Sequence, residues 1–150
     1  MELTEEQIEK LRQSGIRLDA NGRFWHEGGE VTHGGLRAAL WRWLDRNPDG
    51  RYVLRLDAKR FVYLDVDDTP FVVRSMRWDG DRALARLSDD SEEELALSTL
   101  SLRPDGKAQL TVKHRFLAVL SSAAWNTLST HLTAHEGSVY LGPHRLGPAS

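Results

Sequence analysis

Short apolar runs separated by glycine-centred turns dominate this chain, and the spacing of hydrophobic positions widens to a helical period in only a few places. The first is at the start. Thr4 can cap a helix, Gln7 can close a capping box, Leu3 and Ile8 can form a hydrophobic staple, and Gly15 is the stop. The apolar face of that helix is little more than Ile8 and Leu11, so it is expected to pack peripherally. Strands are expected over 16–19, 24–26 and 30–32, joined by turns at Asn21-Gly22 and Gly28-Gly29. Leu36, Ala39, Leu40, Trp43 and Leu44 then share one helical stripe, which Asn47-Pro48-Asp49-Gly50 ends.

Beyond that helix the period returns to two. Tyr52, Leu54 and Leu56 alternate with Val53, Arg55 and Asp57, and residues 61–66 are the expected hairpin partner. Residues 71–78 and 82–87 flank Asp79-Gly80, and 95–102 and 107–112 flank Pro104-Asp105-Gly106, which predicts two more hairpins. Leu117, Leu120, Ala124, Leu128 and Leu132 predict a second long helix over 115–132, before a strand at 139–141 and a tail punctuated by glycine and proline. The fold class that follows is α+β, with mainly antiparallel sheets and two principal helices at 34–46 and 115–132. Aligning Trp41 with Trp125 also matches Leu36 to Leu120, Ala39 to Ala123 and Leu44 to Leu128. Either a two-fold internal repeat of a strand–helix–strand unit or convergence on sheet-packing spacings accounts for the match, with halves at 16–78 and 82–150 if it is a repeat.

Composition narrows the function classes. A chain of 150 residues with 40% hydrophobic content suits a single compact domain. Without cysteine there is no disulfide, thiol nucleophile or cysteine zinc site, and six histidines with no recognisable ligand set predict folding without metal or cofactor. No apolar run approaches a membrane span, and the start lacks the basic-then-apolar pattern of a signal peptide, so a cytoplasmic location is expected. A net charge of −2 argues against nucleic acid as a partner. The charge is uneven: ten acids against four arginines over residues 65–94 give −6, and two acids against five bases over 95–150 give +3. Solvation of a loop at Asp89-Asp90-Ser91-Glu92-Glu93-Glu94 is the simplest account of that block.

Gly22-Arg23-Phe24-Trp25-His26, Gly29-Glu30-Val31, Gly50-Arg51-Tyr52-Val53-Leu54 and Val66-Asp67-Asp68-Thr69-Pro70-Phe71-Val72-Val73 resemble, in this order, the bacterial DUF1285 family, whose function is unknown. The match is best over residues 16–73, and Asp-Asp-Thr-Pro-Phe after a strand is its sharpest element. His33 and Ser122 stand where the family pattern has arginine. The resemblance implies a two-part α+β fold with repeated motifs and a signalling or binding role.

Candidate chemistry is sparse. Asp65, Asp67 and Asp68 before Pro70 could collect oxygen ligands or supply a general base, but the acid, glycine and glutamate series of a calcium loop is missing and turn chemistry explains them more simply. His131 and His135 have the i, i+4 spacing of a metal pair, without an HExxH motif or a third ligand nearby in sequence. Ser121 and Ser122 fall mid-helix in this reading, and neither a Gly-x-Ser-x-Gly elbow nor a phosphate loop occurs, so no catalytic residue is assigned. Five tryptophans, with Tyr63 and Tyr140, could line an aromatic pocket. Most are accounted for by core packing, but Trp41 lies off its helix's stripe and needs a partner elsewhere.

The resulting expectation is a non-enzymatic ligand-binding or regulatory module whose partner is a small molecule or a protein. The alternatives are a metal-assisted hydrolase built on the Asp/His cluster and an interaction module acting as a homodimer. The ligand site is expected where the end of the 61–66 strand meets the hairpin carrying His26 and His33, which could face each other across it. Trp25 would be the wall, with Asp67, Asp68 and Arg74 as neighbours. Alternation lets the hairpin bury Phe24 or Trp25, not both.

Overall fold

The computed structural model describes residues 4–6 and 12–148. Of the expected N-terminal helix, Thr4, Glu5 and Glu6 are described, with Glu5 and Glu6 helical, and the rest lies outside the described residues. The chain divides into two compact units, Met1–Asp68 and Thr69–Ser150. Residues 78–82, the expected division between halves, form the tip of a hairpin within the second unit.

The first unit holds a six-stranded sheet made of β1 (Gln13–Leu18), β2 (Phe24–His26), β3 (Gly29–Glu30), β4 (Leu44–Arg46), β5 (Tyr52–Arg55) and β6 (Phe61–Val66). Helix α1 (Gly34–Trp43) connects β3 to β4. Gly15 is not a helix stop but an interior residue of β1, where its φ of +71° accompanies a register shift against β6 between Gln13 and Arg17. A residue without Cβ takes that left-handed conformation at little cost, so glycine fits the irregular point in the strand. Leu18, Phe24, Leu40, Leu44 and Leu54 are buried. Phe24 meets Trp41 edge-on at 4.7 Å, which supplies the partner that the off-stripe Trp41 required. The helix ends at Trp43 rather than at 46, because Leu44–Arg46 pairs with β5 across the Asn47–Gly50 turn.

The second unit holds β7 (Phe71–Asp79), β8 (Arg82–Leu87), β9 (Glu92–Glu94), β10 (Ser101–Leu102), β11 (Ala108–Val112) and β12 (Phe116–Leu120), then helix α2 (Ser122–Ser129). A three-stranded sheet of β13 (Leu132–His135), β14 (Ser138–Leu141) and β15 (His144–Pro148) follows. The expected long helix over 115–132 is therefore half strand. Phe116, Ala118, Val119 and Leu120 are all buried in β12, which runs parallel to β7 on one side and antiparallel to β11 on the other. An apolar run buried on both faces fits a helical and a strand period equally well. Ser121, placed mid-helix by the sequence reading, is the N-cap: its Oγ accepts from the Ala124 N–H at 3.1 Å and donates to the Arg74 carbonyl at 2.7 Å.

The two large sheets share one topology. Their orders are β3-β2-β1-β6-β5-β4 and β9-β8-β7-β12-β11-β10, so adding six to each strand of the first yields the second. Each is a pair of three-stranded antiparallel meanders joined through parallel pairing of the first and last strands, β1 with β6 and β7 with β12. The sheets carry the internal repeat. The helices stand at different points in it: α1 links the meanders of the first unit, whereas the 3₁₀ turn Leu97–Thr99 lies between those of the second and α2 follows the last strand. The Leu36–Leu120 match in the sequence thus pairs a helix residue with a strand residue.

The acidic block is a turn at Asp89-Asp90-Ser91 followed by β9, with Asp90, Glu92 and Glu94 exposed and several of its acids paired. Glu92 pairs with Arg86 at 3.1 Å, Glu94 with Arg82 at 3.0 Å, and the Lys113 backbone N–H donates to Glu93 at 3.0 Å. Asp89, with 14% of its side chain exposed, accepts from the Ser91 hydroxyl and stands 3.0 Å from Lys113 Nζ. Burial alone would raise its pKa, but the Ser91 and Lys113 hydrogen bonds and the Lys113 charge outweigh it and hold the carboxyl below its usual value. A depressed carboxylate stabilises the fold fully above its unfolded pKa, and that contribution is lost as pH falls through the folded one. Asp89→Asn should therefore lower unfolding free energy by about 1–3 kcal/mol at pH 7. In urea titrations across pH, the gap from the parent should shrink below about pH 4.

Candidate functional site

Each residue of the sequence-derived candidate site has a place in its own unit. Phe24 turns inward with 1% exposed, leaving Trp25 half-buried on the opposite face. Trp25 Nε1 donates to Asp19 at 2.8 Å, and the Arg17 guanidinium lies 5.7 Å from the Trp25 ring centre. Burial opposes ionisation of Asp19, yet hydrogen bonds from the Arg23 N–H, the Trp25 indole and the Asn21 N–H hold its pKa below the ordinary value. Arg17 also pairs with Asp67 at 2.5 Å, so one arginine joins Trp25 to Asp67. Asp68 is half-buried. His26 and His33 do not face each other. The cross-strand partner of His26 is Gly29, whereas His33 lies past the hairpin as the N-cap of α1, its Nδ1 accepting from the Leu36 N–H at 3.1 Å. Arg74, on β7 of the second unit, stands 3.7 Å from Asp90. His131 and His135 do not share a helical face either, because α2 stops at Ser129 and His135 lies on β13. Among the described residues no group of three or more His, Cys, Asp or Glu is placed to hold a metal ion.

A cleft of about 720 Å³ opens in the second unit, within the range of small-molecule sites. Trp78, at the end of β7, forms its aromatic wall, and Leu97, Leu141 and Pro143 add apolar surface. Trp78 is fixed twice: its Nε1 donates to the Thr127 carbonyl of α2 at 3.0 Å, and its ring stacks on His131 with centroids 3.8 Å apart and planes 3° from parallel. The backbone N–H of His131 donates to the Leu128 carbonyl at 3.1 Å at the end of α2. The polar side chains of the lining are Asp81 in the β7–β8 turn, Ser98, His131, Thr133 and His144. His144 Nε2 donates to the Leu100 carbonyl at 3.1 Å, tying β15 to the segment before β10. An apolar wall with a few convergent polar groups, on side chains already immobilised, is suited to holding a small molecule without large rearrangement.

Trp78 was one of several pocket aromatics in the sequence, but its neighbours come from segments far apart along the chain. The available signal lay in the tail, where 132–135, 138–141 and 144–148 are short runs around Glu136-Gly137 and Gly142-Pro143. Such spacing predicts a meander.

Comparison of the whole chain with solved structures places this architecture. A DUF1285 family protein from Silicibacter pomeroyi DSS-3 superposes with a TM-score of 0.75 over 92% of this chain and 81% of its own, at 14% identity. The chain has the DUF1285 fold. A DUF1285 family protein from Shewanella baltica OS155 gives a TM-score of 0.66 over 79% of this chain and 93% of its own, at 15% identity. No family model matches the sequence, and no curated protein matches it. At these identities the likeness concerns the fold, and the site must be argued from this chain's own DUF1285-fold framework. Among the described residues no helix of that framework is long and apolar enough to cross a membrane.

Proposed function

We propose that this protein is a non-enzymatic small-molecule-binding module, and that its site is the cleft of the second unit. The observation that carries this reading is Trp78, held flat on His131 and pinned to Thr127 beside a cleft of about 720 Å³. Rigid aromatic walls lower the ordering cost of binding, so the ligand's contacts translate into affinity. Asp81, Ser98, Thr133 and His144 supply polar groups for orientation. Binding without turnover is what a regulatory or signalling module requires.

Ser98 is exposed on the 3₁₀ turn at the cleft, so a large ring placed there fills the site without disturbing the core. Saturation-transfer NMR with a library of small aromatic fragments should give hits on the parent, and Ser98→Trp should weaken them at least about tenfold while leaving the melting temperature near the parent's. Hits that bind Ser98→Trp as well as the parent would place the site elsewhere.

A further inference from the structure

We infer that the cleft selects a small organic cation, an amine carried on a flat apolar body; this rests on the binding function proposed for the cleft. Asp81 lines the cleft, and among the described residues that line it there is no lysine or arginine. Arg82, the nearest arginine in sequence, pairs with Glu94 at 3.0 Å and Asp79 at 3.8 Å and is not part of the wall. A carboxylate or phosphate entering the cleft would shed water beside a carboxylate, with no guanidinium or ammonium to replace the lost hydration. An ammonium gains instead, because Asp81 offers the opposite charge beside the apolar wall. The remaining polar groups favour a donor as well. His144 uses Nε2–H on the Leu100 carbonyl, and in its neutral form it accepts at Nδ1. The hydroxyls of Ser98 and Thr133 can also accept.

The test uses three compounds with one ring system: tryptamine, 3-methylindole and indole-3-propionate, cationic, neutral and anionic at pH 7. Titration calorimetry on the parent, Asp81→Asn and Ser98→Trp separates charge from ring binding. Tryptamine should bind the parent at least about tenfold tighter than indole-3-propionate. Asp81→Asn should remove most of that preference, because Asp81 carries the charge that tryptamine is expected to meet. Equal or tighter binding of indole-3-propionate to the parent would overturn the cation assignment and leave the cleft standing. Binding of none of the three, or binding that Ser98→Trp does not weaken, would overturn the cleft reading and the cation assignment with it.

Discussion

Phe24→Ala should cost about 3–5 kcal/mol of unfolding free energy, the usual loss when a buried aromatic ring is cut back to a methyl. Phe24 is 1% exposed, lies between Leu18 and the Trp41 ring, and meets that ring edge-on at 4.7 Å. Its removal takes away transfer free energy and opens a space that β1, β2 and α1 can only partly close. Trp25→Ala, one residue on, should cost clearly less, because its larger ring is half-buried on the opposite face of β2. Urea titrations of the two variants measure the alternation directly. Equal losses would contradict the inward placement of Phe24.

Thr69→Val should destabilise the second unit by about 1–3 kcal/mol although it conserves volume, since that is the cost of a buried polar group left unpaired. Thr69 is 4% exposed, and its hydroxyl donates to the Phe71 carbonyl at 2.6 Å and accepts from the Val119 N–H at 3.1 Å. It thereby stitches the start of β7 to β12, the parallel pair at the centre of the sheet. Valine leaves the Val119 N–H unpaired in the core. Thr69→Ser keeps the hydroxyl and should lose about 1 kcal/mol, the value of one buried methyl group. If valine proves as benign as serine, the hydroxyl bridge is not what holds the pair.

Thr69 also shows how the sequence is to be read. Asp-Asp-Thr-Pro-Phe was its sharpest motif and drew attention as a ligand site, yet its threonine, proline and phenylalanine are buried at the root of β7. Hairpins were legible where the turn chemistry is local: residues 24–26, 61–66 and 82–87 are strands with the expected bounds. Glycine turns specify such pairs within a few residues. β12 was not legible, because Phe116–Leu120 pairs with β11 across a turn at 113–115 that holds no glycine, proline, asparagine or aspartate, and with β7 more than forty positions away. The one local hint was Ser121, a capping residue at the true start of α2. The cleft was hidden for the same reason. Trp78, Leu97, His131 and Leu141 belong to four separate segments, and only the tertiary fold brings them together.

The indole N–H spectrum tests the central claim most directly, because the five tryptophans are spread over both units and give separate reporters. Fragments that bind the protein should shift the Trp78 signal, whose N–H donates to Thr127 at the wall of the cleft, and leave Trp25, Trp41 and Trp43 of the first unit in place. Fragments that move Trp25 and leave Trp78 unchanged would contradict the account and return the site to the hairpin of the first unit.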